Sequence, residues 1–274
     1  MDKCKSKIVP TFFIVVLLLN FLKCTSKNEP LHQAAIEGDL DKMQQLIDKG
    51  VNVDVLDSYG RTPLHITQNI NSTKLLLKNG AKINAKVSFY EFTPLHLVYN
   101  YEKAQILIQN GADVNVKDRS GSTPLHEARN WKIAQILLEN GANVNAQDNF
   151  GSTPLNLPRF NDYINVLLEY GADVNIKDSV GQTPIYNRIE RGNYKLVSIL
   201  LKHGAKINIT DNDDQTPLHL AVKGGYVDIV KLLIDHRAKV NVRNKFAETP
   251  LDIANKYGRD EIIEILLKNG AIKK

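Results

Sequence analysis

The sequence predicts an all-α solenoid of tandem units, each built from two short helices and an extended arm. Three observations carry this. A Thr-Pro pair recurs at Thr62-Pro63, Thr93-Pro94, Thr123-Pro124, Thr153-Pro154, Thr183-Pro184, Thr216-Pro217 and Thr249-Pro250, with Glu29-Pro30 in the same place in an eighth copy. Successive starts lie 33, 31, 30, 30, 30, 33 and 33 residues apart, a period that marks stacked supersecondary units. Each copy closes its second apolar run with glycine (Gly50, Gly80, Gly111, Gly141, Gly171, Gly204, Gly270), except that Arg237 stands there in the seventh.

In chain order, residues 1–24 come first. Lys3, Lys5 and Lys7 precede an apolar run from Ile8 to Leu19, broken only by Pro10 and Thr11. These are the n-region and h-region of a secretory signal, and the run is shorter than the roughly 20 apolar residues a membrane span needs. Phe21-Leu22-Lys23-Cys24 resembles a relaxed bacterial lipobox, with Lys23 in place of a small residue and Phe21 in place of leucine. Three outcomes stay open: lipidation at Cys24, retention as an uncleaved anchor, or ordinary release. The chain is therefore expected to be exported: secreted, periplasmic, or membrane-anchored as a lipoprotein. A linker, 25–28, leads to a repeat domain over 29–274, divided as 29–61, 62–92, 93–122, 123–152, 153–182, 183–215, 216–248 and 249–274.

Within a repeat, Thr offers its side-chain oxygen as an N-cap and Pro takes the first helical position, where its missing N–H is harmless. A first helix follows, as in Leu218-His219-Leu220-Ala221-Val222, with small Ala admitting a close neighbour. A second helix carries a Leu/Ile face, as in 229-IVKLLI-234, and stops at the glycine, which accepts the left-handed conformation of a helix end. An alternating stretch such as 112-ADVNVKD-118, followed by Gly121, reads as an extended arm with a turn at its tip.

These residues resemble the ankyrin repeat family, most closely in 121-GSTPLHEA-128 and 216-TPLHLAVKGGYVDIVKLLI-234. The resemblance covers residues 29–274. It implies antiparallel helix pairs stacked into a curved solenoid, with hairpin-like loops projecting from one edge. It also assigns the histidine of Thr-Pro-Leu-His a structural role, bonding within and between neighbouring loops. His32, His65, His96, His126 and His219 occupy that place, one per repeat. Spaced so, they cannot converge on one metal or substrate. Asn156, Tyr186 and Asp252 replace the histidine in three copies. Glu127 reads as solvated and Trp131 as partly buried at the inter-helix junction.

Four copies, starting at Thr62, Thr93, Thr123 and Thr153, are short: the terminal Gly follows the Thr by 18 residues, against 21 in the sixth and eighth. The missing three residues lie between the helices, so the first helix should lose about one turn at its C-terminal end, leaving the stack thinner or differently bent there. Asn69, Asn100 and Asn130 sit near the shortened turn and tolerate left-handed geometry. Pro158, in 155-LNLPRF-160, should make the fifth copy's first helix irregular. The loop 86-KVSFYEF-92 gains a residue and lacks the usual Asp and Gly. Its rings, Phe89, Tyr90 and Phe92, either tuck partly into the stack or form an exposed aromatic anchor. Lys256, Arg259, Asp260, Glu261, Glu264 and Lys268 give the last copy the polar face of a cap, so the solenoid is expected to end there.

The chain carries a formal charge of +5 over 274 residues. Residues 1–24 hold Lys3, Lys5, Lys7 and Lys23 against Asp2; the remainder has 31 basic and 29 acidic residues, a net of +2 with no basic run. A nucleic-acid partner is not expected. Cys4 and Cys24 are the only cysteines, which excludes a disulfide framework or a cysteine zinc site in the repeats. No phosphate loop, His-Glu-x-x-His or activated nucleophile is present. Asp211-Asn212-Asp213-Asp214 has part of a calcium-loop spacing without its Gly and distal Glu, and reads as a solvated tip. No catalytic residue, cofactor or metal is expected.

What remains is a non-catalytic protein–protein interaction module, a monomer reaching a membrane only through its leader or lipid. The resemblance implies contacts from the residues flanking the tip and ending the first helix: Tyr59, Arg61, Phe89, Tyr90, Arg119, Phe150, Val180, Asn212 and Phe246, with Tyr99, Arg129, Arg159, Arg188 and Lys223 on the same side. Two roles fit: an exported or anchored adaptor binding a protein partner on a concave surface, or an envelope accessory factor that assembles or protects a partner enzyme.

Overall fold

A computed structural model describes residues 30–157 and 161–272. The leader with Cys4 and Cys24, Glu29, and the Pro158-Arg159-Phe160 segment lie outside the described residues. The chain divides into two compact units, between Lys82 and Ile83.

The first unit holds Pro30–Glu37 and Leu40–Asp48, then Pro63–Ile66 and Ile70–Lys78. First helix packs on first helix and second on second. The second unit opens with the loop at 83–92 and continues with Pro94–Leu97 and Tyr101–Gln109, Pro124–Glu127 and Trp131–Glu139, Pro154–Asn156 and Asn161–Glu169, Pro184–Glu190 and Tyr194–Lys202, Pro217–Gly224 and Val227–Asp235, and Pro250–Lys256 and Asp260–Lys268. Like helices again stack on like. Every described element is helical. The core repeats with the sequence: Leu64, Leu125, Ile185 and Leu218 of the first helices and Leu76, Leu107, Leu137, Leu167, Leu200, Leu233 and Leu266 of the second are fully buried.

The first helices show the expected shortening. They run 8, 7, 8 and 7 residues in the first, sixth, seventh and eighth repeats, but 4, 4, 4 and 3 in the second to fifth. Two of these, Pro94–Leu97 and Pro154–Asn156, are single 3₁₀ turns. Asn69, Asn100 and Asn130 depart from expectation. They are extended, with φ of −73°, −103° and −144°, and their side chains accept the amides of Ser72, Lys103 and Ile133 as N-caps of the second helix. With the connector deleted, the residue before the helix must itself cap the free N–H groups.

A truncated helix also leaves carbonyls without intrahelical donors, and buried side chains from the following repeat reach them. The Tyr163 hydroxyl donates to the Leu125 carbonyl at 2.7 Å. The Arg188 guanidinium donates to the Leu155 and Leu157 carbonyls at 2.9 and 2.7 Å. Both residues are about as buried as the leucines, at 2% and 1% exposure. In the first unit, Thr67 donates to the Ala35 carbonyl at 2.6 Å, there on a helix of full length.

The arms are joined by asparagine. The Asn115 side-chain oxygen accepts the Asn143 amide at 2.8 Å, and its NH₂ donates to the Gly141 carbonyl at 2.9 Å. Asn145, Asn175, Asn208 and Asn241 make the same double contact with the next repeat. Only a side chain that both accepts and donates can do this. Asp54 of the first repeat accepts from Lys82.

Arg237, where the other repeats have glycine, keeps the left-handed backbone at φ 66°. That conformation costs a non-glycine residue about 1–2 kcal/mol. Arg237→Gly should therefore stabilise the seventh repeat by about 1 kcal/mol, after allowing for glycine's greater freedom when unfolded, visible as a higher urea midpoint.

Candidate interaction surface

Six loop tips are each fixed by one Asp or Asn side chain. Asp118, Asp148, Asp178 and Asp211 accept the amides two and four residues on at 2.8–3.0 Å, and Asn244 does so at 2.9 Å. Asp57 does the same in the first unit. Asp211 is thus the local support of its tip, and Asp214 takes the left-handed place of the missing glycine at φ 56°. Burial pushes the carboxyls of Asp118, Asp148 and Asp178 above their usual range, against the opposing effect of these bonds.

Each tip of the second unit also bonds to the one before. Arg119 N–H donates to Tyr90 C=O, Asn149 to Ser120, Ser179 to Phe150, Asn212 to Val180 and Lys245 to Asp213, at 2.8–3.0 Å. The rungs use backbone groups only and leave large apolar tip side chains outward: Phe89 is 62% exposed, Phe150 46%, Val180 43% and Phe246 67%.

The three rings of the inserted loop split between the two expectations. Phe92 is buried and stacks 5.6 Å from Tyr90, which is half-buried; Phe89 projects. Glu91 absorbs the extra residue at φ 59°. Arg119 lies 5.1 Å over the Phe89 ring and donates to the Phe89 carbonyl at 3.3 Å.

The other candidate residues are less uniform. Tyr99 and Lys223 are exposed and Arg129 half-buried. Tyr59 is exposed with Arg61 stacked 4.9 Å over it, but Arg61 is held by Asp57 at 2.7 Å and is mostly covered. Burial raises the Asp57 carboxyl, and the Arg61 bonds more than offset this, leaving it lowered. Asn212 is exposed, with its NH₂ bound to the Ser179 carbonyl at 3.0 Å, so its side chain serves the ladder. Arg159 lies outside the described residues.

Arg188 does not belong to the surface. It is 1% exposed and spends its donors on Leu155, Leu157 and Asn187. Five residues after its Thr, Arg188 takes the inward place that Ala128, Ala221 and Ala254 fill in other repeats, and its guanidinium reaches the carbonyls of the shortened fifth repeat. Glu127 is likewise 7% exposed rather than solvated. Trp131, 40% exposed, opens the second helix of its repeat.

The sequence reading passed over a groove between the seventh and eighth repeats. Its lining combines Phe246 with Tyr257, Lys256, Glu248 and Ile253, beside Lys223, Gln215 and Asn244. Lys256 pairs with Glu248 at 2.7 Å. That contact lowers the Glu248 carboxyl and raises the Lys256 ammonium. The available signal was the pairing of an aromatic tip, Phe246, with an aromatic helix end, Tyr257.

The histidines are struts. In His65, His96, His126 and His219, Nδ1 accepts from the Thr amide at 3.0–3.1 Å and meets the Thr hydroxyl at 2.8–2.9 Å. This reach-back of the N3 side chain is half of a capping box. Nε2 meets the carbonyl before the next repeat's Thr: Arg61 for His32, Ser122 for His96, Ser152 for His126 and Glu248 for His219, at 2.8–3.2 Å. An amide donor on Nδ1 and a carbonyl at Nε2 specify the neutral tautomer with hydrogen on Nε2. Tyr186 keeps the inter-repeat link by donating to the Gln215 carbonyl at 2.8 Å, while Asn156 and Asp252 keep the cap. Among the described residues, no group of three or more His, Cys, Asp or Glu could hold a metal ion.

Burial holds His96 down to about 4 and lowers His219 too. The unfolded chain then binds more protons than the folded one below the free-imidazole value of about 6.5. Stability present above that pH is lost as pH falls toward about 4. His96 alone accounts for about 3 kcal/mol at the low end. Urea midpoints measured from pH 7 to pH 4.5 should fall, and His96→Asn, which keeps the cap as Asn156 does, should flatten part of the decline. The raised Asp118, Asp148 and Asp178 act oppositely, gaining protons on folding.

A comparison with curated proteins finds no match. A family model described as ankyrin repeats (3 copies) matches residues 11–87, 68–148, 95–178, 159–244 and 189–274. The chain belongs to the ankyrin repeat family, and its repeats indicate a protein–protein interaction module.

Proposed function

We propose that the chain is a non-catalytic adaptor, exported or membrane-anchored, that binds a protein partner on the surface formed by its loop tips and first-helix ends. The observation that carries this is the tip ladder with its outward Phe89, Phe150, Val180 and Phe246. Large apolar side chains held on a hydrogen-bonded backbone offer contact area with little ordering cost on association. Export rests on the lysine-preceded run Ile8–Leu19, which lies outside the described residues. Among the described residues, no helix is long and apolar enough to cross a membrane, so anchoring falls to the leader or to a lipid on Cys24.

Chemical crosslinking in intact cells, followed by mass spectrometry, should recover one specific protein. Recovery of none under several growth conditions contradicts the adaptor reading. Fractionation tests the lipid anchor separately. Cys24→Ser should move the chain out of the membrane fraction, and its retention there would rule the lipid out.

A further inference from the structure

In the groove between the seventh and eighth repeats two exposed rings line the same cavity. Phe246 comes from the tip and Tyr257 from the end of the first helix, at 67% and 44% exposure. The cavity measures about 260 Å³ and includes the buried Ile253. Small-molecule sites run from roughly 300 to 1,000 Å³, so the space suits one large side chain better than a cofactor. Among the lining residues, two lysines face one carboxylate. Lys256 and Glu248 neutralise each other, and the Lys256 ammonium stands 6.0 Å over the Tyr257 ring. Lys223, exposed at the edge, makes no ion pair among the described residues; Glu190 feels its charge without pairing to it.

We propose that this groove anchors an extended acidic segment of a protein partner. An apolar side chain of that segment enters between Phe246 and Tyr257, and a carboxylate next to it pairs with Lys223. The idea rests on the protein-binding reading and adds where the partner is gripped and by what chemistry. Charge complementarity selects the acid, because among the lining residues Lys256 and Glu248 pair with each other and leave Lys223 as a cation without an ion pair. The opposed rings select the apolar neighbour.

The test pans a phage-displayed random peptide library against the full chain, then labels an enriched peptide with fluorescein and measures its affinity. The expected consensus places a large apolar residue within two positions of Asp or Glu. Phe246→Ala and Lys223→Glu should each weaken that peptide at least tenfold while leaving the helical circular dichroism unchanged. A peptide with Lys in place of its acid should regain affinity for the Lys223→Glu protein. Failure to enrich any peptide, a consensus without an acid, or affinity unchanged in either variant would overturn the proposal. Peptides lost with Phe150→Ala but not with Phe246→Ala would also overturn it, while leaving the protein-binding reading intact. That reading fails separately, by the absence of any crosslinked partner in cells.

Discussion

Arg188→Ala should cost about 4 kcal/mol, the order expected when a buried, hydrogen-bonded charge network loses a partner. Arg188 is 1% exposed and satisfies two carbonyls of the fifth repeat, Leu155 and Leu157. Removing it orphans both and opens a cavity. Burial lowers the guanidinium to about 10, and at 1% exposure water would not readily replace the lost donors. Arg188→Met fills most of the space without the bonds, and should cost about half as much. A repeat array need not unfold as one unit, so the loss should be local. Native-state hydrogen exchange should show protection falling across the fifth and sixth repeats and little changed in the eighth. A uniform small loss would contradict this. Partner affinity, measured where the protein is folded, should not change.

Gly181→Val is the second large effect, at about 4 kcal/mol. Gly181 sits at φ +79°, and an added Cβ would lie 2.8 Å from the Asn212 amide nitrogen, the rung that joins the two tips. Left-handed strain alone is worth about 1–3 kcal/mol, and breaking the rung adds to it. Gly171→Val is the control: φ is +80°, but nothing stands within 4 Å, so only the strain, about 2 kcal/mol, should appear. Gly181→Asp should be milder than Gly181→Val, because Asp214 occupies the equivalent place at φ 56° with its own rung intact. Equal midpoints for the two valine variants would mean that the ladder contributes nothing.

What could be read from the sequence was what repeats. The Thr-Pro rhythm, the histidine in each tile and the closing glycine are local signals, copied often enough to exclude accident. The shortened first helices follow from the same arithmetic, since three missing residues amount to about one turn. What could not be read depends on where a neighbouring repeat places its side chains. Arg188 stands five residues after its Thr, in register with the buried Ala128, Ala221 and Ala254, whereas Lys223 stands seven after, in register with Glu190. The Arg188 guanidinium reaches the exposed carbonyls of a truncated neighbour, and Lys223 faces outward. Glu127 is buried for a similarly non-local reason, because the helix that carries it is four residues long and closely covered. Asn69, Asn100 and Asn130 were legible as special positions, but a capping demand and a left-handed turn favour the same residue, and only the backbone angles separate them. The aromatic tips were legible singly. The groove formed by Phe246 and Tyr257 needed the spatial pairing of two elements eleven residues apart.

The central claim is that the outward residues of the tip ladder meet a macromolecular partner. A photo-crosslinking amino acid placed at Phe150, and separately at Tyr170 past the second helix of the following repeat, tests it most directly in living cells. Both positions are comparably exposed, at 46% and 41%. The account predicts a discrete crosslinked protein from position 150 and none from position 170. The same adduct from both, or an adduct from 170 alone, would contradict it.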